Sequence, residues 1–298
     1  MADSKFSKWF KSTLTRISPK LNTRVLYLIK FKKFINLKNP RTLDEKIQWL
    51  KFNDYLNNTQ VRDCCDKFLV RKYVKECGCP EILNDLYGVY DTVEEIPWDT
   101  LPDKFVIKWN FGCGQNLICR DKNKLNIKEA KKLLEDWYKI HDTFYLPYSE
   151  IQYKGINPKI ICERFIESEN GALPVDYKFY CFNGKAHCVL VCTGRDTDGH
   201  GAKYYFFDRN WNLLRYNKTG KSVPRDFILP KPQGIDKLFE YADKLTKPFP
   251  FVRADFYLES GRPIFGELTF TPGGGFDTGR LYETQLLFGS MVDISLPH

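Results

Sequence analysis

The first apolar pattern in the chain is helical. Phe6, Trp9, Phe10, Leu14 and Ile17 recur at spacings of three and four, with Lys5, Lys8, Lys11 and Arg16 off that stripe. This predicts an amphipathic helix stopped by Pro19. Residues 21–37 read as a second helix. Thr42-Leu-Asp-Glu45 has the capping-box pattern and precedes Ile47, Trp49 and Leu50, which predicts a third. Residues 62–77 read as a fourth.

From Lys104 the period drops to two. Residues 104–109, 116–120 and 159–165 read as strands, with a helix at 127–140 that turns Ala130, Leu133, Leu134 and Trp137 inward. Further strands are expected at 177–182, 185–192, 203–207, 211–215, 252–258 and 264–270. Asn183-Gly184 reads as a hairpin turn. A helix at 235–245 has Ile235, Leu238, Phe239, Ala242 and Leu245 on one face. No repeat is visible. The expected class is α+β with largely antiparallel sheets.

Composition narrows the function classes. The chain has 298 residues, 43% hydrophobic and 28% charged, as expected of a globular protein. It has no run of eighteen apolar residues and no apolar signal-peptide region near Met1, so neither a membrane span nor secretion is expected. Ten cysteines and four histidines form no Cys-x-x-Cys and no His pair at helical spacing, which gives zinc little support. Reduced thiols in the cytoplasm are the simplest expectation.

The net charge of +9 is uneven. Residues 1–41 hold eight lysines and three arginines against Asp3 alone, and the remainder is near neutral. A basic amphipathic helix with Trp and Phe suits peripheral contact of residues 1–20 with an anionic membrane surface at the inner face. The alternative is that its stripe packs on the protein's own body. No nucleic-acid motif accompanies the charge.

The richest stretch for chemistry is 251–275, FVRADFYLESGRPIFGELTFTPGGG. At period two, Val252, Ala254, Phe256 and Leu258 share one face, and Ile264, Gly266, Leu268 and Phe270 share another. An odd-length turn at Ser260-Gly261 then sets Asp255 opposite Glu267 and Arg253 opposite Thr269. Paired carboxylates off the core repel unless a cation lies between them, which suits a Mg²⁺ site for a triphosphate; a solvated hairpin face is the alternative. In KFVIKWNFGCG, a strand bearing Lys108 runs into Gly112 and Gly114, whose backbone can approach phosphate oxygens. It lacks the Walker pattern, and an ordinary hairpin loop also fits. In IICERFIE, Glu163 precedes Phe165-Ile166 on an apolar strand able to hold adenine or serve as a plain edge. Asp176 and Lys178 share one strand face.

In order, the segments NPRTLDEKIQWLK, DKFLVRKYV, KFVIKWNFGCG, DYKFYCFNGK, YFFDRNWNLL and PFPFVRADFYLESGRPIFGELTFTPGGGF resemble the TupA-like ATP-grasp family, over roughly residues 39–289. The resemblance implies two α+β subdomains clasping ATP, at 61–166 and 167–298, after a basic helical segment at 1–60. It implies that Lys67 and Lys108 contact the α- and β-phosphates, and that Gly112, Cys113 and Gly114 form the loop over them. Glu163, Arg164, Phe165 and Ile166 match the adenine hinge, and Asp176 and Lys178 a charged pair near the nucleotide. Asp255 and Glu267 match the metal carboxylates. Thr269 stands where an Asn ligand is usual, a weaker donor for a second metal. Arg195, Arg253 and Lys178 are the candidates to stabilise the transferring phosphate. Gln115 departs from the glycine-rich loop and would stiffen it. The helical start departs from the usual leading βαβ domain.

The implied activity is ATP-dependent ligation of a carboxylate to an amine through an acylphosphate. The family name points to a uronic-acid carboxyl of a surface polysaccharide or its precursor, and to an amino acid or amino alcohol. Three alternatives stand beside it. Asp196-Thr-Asp198 matches a glycosyltransferase triplet; the same ATP site could phosphorylate a sugar hydroxyl; and 46 aromatics could serve a polysaccharide-binding module. Arg280, Gln152, His200 and Gly273–Gly275 are further candidates for substrate contact, and Cys113 for thiol sensitivity.

Overall fold

The computed structural model describes residues 4–168, 173–195 and 200–295. The helical first part runs α1 (Lys5–Ile17), α2 (Pro19–Phe31), α3 (Leu43–Leu50), α4 (Thr59–Cys65) and α5 (Val70–Glu76). Pro19 both bars α1 from continuing and opens α2 as its first residue, with the Ser18 hydroxyl accepting the Leu21 N–H. The second helix therefore stops at Phe31, short of residue 37. At α3 both halves of the capping box form: Thr42 accepts the Glu45 N–H, and Glu45 accepts the Thr42 N–H. Such a cap stabilises a helix by about 1 kcal/mol.

Two antiparallel sheets follow. The first has the order β1-β4-β2-β3, from β1 (Leu86–Tyr90), β2 (Phe105–Trp109), β3 (Leu117–Cys119) and β4 (Ile160–Arg164), and α6 (Ile127–Tyr138) packs on β2. Ala130 and Leu134 of α6 are buried, whereas Leu133, expected inward, is exposed. The second sheet has the order β10-β9-β5-β6-β7-β8. Its strands are β5 (Asp176–Phe182), β6 (Lys185–Thr193), β7 (Lys203–Phe207), β8 (Leu213–Leu214), β9 (Phe251–Glu259) and β10 (Arg262–Thr269). After β8 come α7 (Lys218–Ser222), α8 (Ile235–Leu245) and, last, α9 (Tyr282–Met291).

Alternation decides what each sheet buries. Phe105, Ile107, Trp109, Ile160 and Cys162 of the first sheet join one core with Phe179, Ala254, Phe256 and Leu268 of the second, under α8. The opposite faces carry Val106, Lys108, Ile161 and Glu163 in one sheet, and Lys178, Arg253, Asp255 and Glu267 in the other. The helical segment is joined to the second sheet. Tyr55 donates to the Phe251 carbonyl and Lys46 to that of Val292. At Gly289 of α9 a Cβ would lie 2.0 Å from the Arg41 carbonyl oxygen, so only glycine permits the approach of α9 to the start of α3.

Candidate active site

The β9–β10 hairpin sets Asp255 opposite Glu267 and Arg253 opposite Thr269, as the alternation requires, but by a different device. The turn has two residues, Ser260 and Gly261, both at positive φ. It pairs Glu259 with Arg262, and a bulge at Gly266 then shifts the register by one residue. Without the bulge, Glu267 would fall on the core side. A side chain at Gly266 would put its Cβ 2.9 Å from the Asp255 carbonyl oxygen. The bulge also turns Phe265 into the core and moves Ile264 opposite Tyr257, buried but outside the core cluster.

A cation does lie against the paired carboxylates, and in this structure it is the Arg253 guanidinium. Its Nε and Nη2 each donate to Asp255 at 2.7 Å, and Nη2 is 3.8 Å from Glu267. Lys178 Nζ donates to Asp255 at 2.8 Å and lies 3.3 Å from Asp176, which also pairs with Arg195 at 2.9 Å. Burial alone would raise the Asp255 carboxyl; Arg253 and Lys178 outweigh it and hold the carboxyl below its usual range. Glu267 is more open, its side chain 40% exposed, and accepts the Thr269 hydroxyl at 3.0 Å. Among the described residues, no group of three His, Cys, Asp or Glu side chains converges on a metal position. The donor types still suit a hard cation: two carboxylates in register, with the Thr269 hydroxyl beside Glu267, once Arg253 turns away from one oxygen.

On the other sheet, Lys108 Nζ is 2.7 Å from Glu163, and Arg71, which the sequence did not mark, is 3.3 Å from the same carboxylate. Lys67 sits where the expected helix 62–77 breaks. Asp66 Oδ1 accepts the N–H groups of Phe68 and Leu69, while Asn110 donates to its Oδ2. That break turns the Lys67 ammonium onto the Gly112 carbonyl. Burial lowers the Lys67 ammonium below its usual value, opposed by nearby Glu267, so this lysine at the helix break lies within electrostatic reach of the second-sheet carboxylate. Gly112 and Gly114 both have positive φ, at 74° and 72°, the conformation that glycine allows. The Gln115 side chain folds back towards Gly112. Cys113 is exposed at the loop tip, and desolvation by its surroundings, then Glu150 and Glu267, push its thiol above the usual value.

The segment joining the sheets is held by an ionic fork. Arg164 donates to both oxygens of Glu259, at 3.0 and 2.7 Å, and the Glu167 N–H donates to Glu259 at 2.9 Å. Phe165 is buried here under the Arg120 guanidinium, 5.0 Å from its ring centroid, with Ile166 next in the chain.

Glu150 was not legible from the sequence. It accepts the Thr271 hydroxyl at 2.6 Å, two residues beyond Thr269, and burial raises its carboxyl. Gln152 donates to the same hydroxyl at 2.9 Å and is buried. Arg280 is buried and engaged by Asp44, Asp277 and Tyr180, which makes it a structural cation rather than a substrate contact. The Asp196-Thr-Asp198 triplet lies outside the described residues.

A family model described as TupA-like ATP-grasp matches residues 45–293. No curated protein matches the chain. Several solved structures are similar. D-alanine–D-alanine ligase from Bacillus anthracis complexed with ATP is 13% identical with a TM-score of 0.47, covering 98% of this chain and 92% of that one. D-cycloserine synthetase is 11% identical, with a TM-score of 0.45 and coverages of 84% and 78%. L-amino acid ligase from Bacillus licheniformis is 14% identical with a TM-score of 0.43; the match covers 72% of this chain and 44% of that one, so the chain spans less than half of that enzyme. With the family model matched over most of its length, the chain belongs to the TupA-like ATP-grasp family and is an enzyme of the ATP-grasp ligase class.

Proposed function

We propose that the protein activates a carboxylate with ATP, releasing ADP, and joins it to an amine, the carboxylate being a uronic-acid group of a surface polysaccharide or its precursor and the amine an amino acid or amino alcohol. The observation that carries the chemistry is the charged array on the non-core faces of the two sheets. Asp255 and Glu267 stand with Lys178 and Arg253 on one, and Lys67, bonded to the Gly112 carbonyl, lies within electrostatic reach of Glu267 and Lys108. The substrate class rests on the family name alone.

The reaction needs little covalent help from the protein; it needs position and charge. A carboxylate oxygen attacks the terminal phosphorus and ADP leaves; the amine then attacks the acyl carbon, and phosphate leaves with the C–O bond. Asp255, Glu267 and Thr269 would hold Mg²⁺, which when bound neutralises phosphate charge. Lys108 would offset charge on the phosphates from the first sheet, and Lys67 from the break between α4 and α5. Lys178, Arg253 and Arg195 would do so from the second sheet. The chain from Glu163 to Ile166 supplies backbone donors and acceptors and the buried Phe165 ring for the base. The glycine loop covers the reacting group and keeps water from the acylphosphate. Glu150, whose carboxyl burial raises beside Thr271, would take the proton that the amine loses.

The test is ADP release across amino acids and amino alcohols with uronic-acid acceptors, comparing wild type with Lys108→Ala and Glu267→Ala. Loss in both, with a product whose mass is acid plus amine less water, supports the reading. Full turnover in both variants, or a phosphate ester as product, overturns it.

A further inference from the structure

The first helix is turned inside out. Its polar side faces the protein: Thr15 is buried, its hydroxyl donates to the Leu146 carbonyl at 2.7 Å, and it meets the Ser149 hydroxyl at 2.7 Å. Asn22 of α2 closes the elbow by donating to Thr15, Pro147 and Ser149. The apolar stripe points to solvent, with Phe6 73%, Trp9 60% and Ile17 70% exposed and Phe10 beside them. Of the stripe, only Leu14 is half-buried against the body; the other four side chains do not pack on it. Leu21, Leu28 and Ile29 of α2 and Phe34 after it extend the surface. Among the described residues, eight of the nineteen exposed large apolar side chains lie between residues 6 and 34, which makes this a concentrated patch and not the scatter normal on a soluble surface.

The charge around the patch is of one sign. Residues 4–41 contain eleven Lys and Arg and no Asp or Glu. Lys5, Lys8, Arg16, Lys20, Arg24, Lys32 and Lys33 are exposed about it. Repulsion between like arms disfavours a second copy of the chain as occupant, and aromatic side chains rimmed by cations match the headgroup layer of an anionic bilayer.

We propose that α1 and α2 form a docking surface for an anionic lipid membrane. The apolar stripe enters the interface and the lysines and arginines meet the headgroups. The elbow grips residues 146–149, and Glu150 follows directly, so a docked arm would hold the Glu150–Thr271 end of the proposed site near the bilayer. The docking itself does not depend on the ligase reading.

The experiment is sedimentation of the full chain with phosphatidylcholine vesicles, with and without phosphatidylglycerol, across a salt series. The expected result is binding to the anionic vesicles that falls as salt rises, with a blue shift in fluorescence that is lost on Trp9→Phe. The triple variant Phe6→Asp, Trp9→Asp, Phe10→Asp should lose at least about tenfold in vesicle affinity, since each substitution removes a large apolar side chain from the interface. The charge variant Lys5→Glu, Lys8→Glu, Lys20→Glu should lose the anionic preference. Ile228→Asp, at an exposed apolar residue outside the arm, should bind as wild type. Equal binding by wild type and the triple variant would overturn the proposal. So would no binding by wild type, or self-association that the triple variant abolishes while vesicles stay unbound. ATP turnover with a water-soluble acceptor, measured alongside, checks that the variants are folded and reports separately on the ligase reading.

Discussion

Asp255 and Glu267 face each other across one ladder, yet the fold leans on them unequally, and neutralising each without changing its shape separates structure from catalysis. Asp255 is 4% exposed at its side chain and takes two bonds from Arg253 and one from Lys178. Asp255→Asn keeps an acceptor oxygen but leaves two buried cations short of one negative charge. Breaking a buried pair in this way costs about 3–5 kcal/mol. Glu267 is 40% exposed, accepts one hydroxyl and touches Arg253 only at 3.8 Å, so Glu267→Gln should cost about 0–1 kcal/mol. If both carboxylates serve the reaction, turnover should fall in both variants by about a hundredfold or more, the scale seen when a transition-state charge partner is lost. Urea unfolding gives the stability side. ADP release at saturating substrates, titrated with Mg²⁺, gives the other. A Glu267→Gln protein with wild-type turnover and an unchanged metal dependence would refute the reasoning, because nothing in its folding could mask the effect.

Three further outcomes follow from the same geometry. Lys51 is buried with its ammonium lowered to about 7 by burial, and donates to Gln48 and to the Tyr148 carbonyl. Between pH 7 and the usual lysine value the unfolded chain binds one more proton than the native one, so native stability should rise with pH, by about 1.4 kcal/mol per unit. Urea unfolding of wild type should show this rise from pH 7 to 9.5 and Lys51→Met should lack it; parallel curves would contradict the assignment. Gly266→Ala should destabilise the hairpin by about 1–3 kcal/mol, because the added carbon meets backbone at 2.9 Å, and should lower turnover beyond the loss of folded protein. Glu150→Gln should raise the KM for the amine or lower kcat at saturating amine, with ATP affinity unchanged in a direct binding measurement.

Period-two reading reached the strands and the Asp255–Glu267 pairing because both sheets are buried on one face, which fixes alternation. The reason for the register lay elsewhere: a glycine inside a strand pattern marks a bulge, and Gly266 shifts the pairing that a two-residue turn would otherwise set. Strand β1 escaped notice because its pairing with β4 is irregular between Leu86 and Gly88. Helix α9 escaped because Leu286, Leu287, Phe288 and Met291 surround it instead of forming one stripe. The break at Asp66 depends on Asn110, 44 residues away, and Glu150 reaches Thr271 across 121 residues; no local pattern records either contact. The outward stripe of α1 was visible as a stripe, but its direction depends on Thr15 and Asn22 bonding residues 146–149.

If the proposed site binds a triphosphate, its charges show how a polyanion could enter beside so many carboxylates. Among the residues assigned to it, Lys67, Arg71, Lys108, Lys178, Arg195 and Arg253 stand against Glu150, Glu163, Asp176, Asp255 and Glu267. Most are already paired: Lys108 and Arg71 on Glu163, Lys178 and Arg253 on Asp255, Arg195 on Asp176. The fold has therefore already taken these ions out of water, which is the costly step in building a buried ionic site. Under the proposed function, binding a metal–triphosphate complex would be an exchange of partners: Asp255 and Glu267 would hold the metal in place of Arg253, and the lysines and arginines would turn to the phosphates. The excess of cations suits a ligand that stays anionic after the metal has bound. The Arg164–Glu259 fork ties β4 to β9 across the two sheets and takes no part in those pairings, so it would hold them together while partners change.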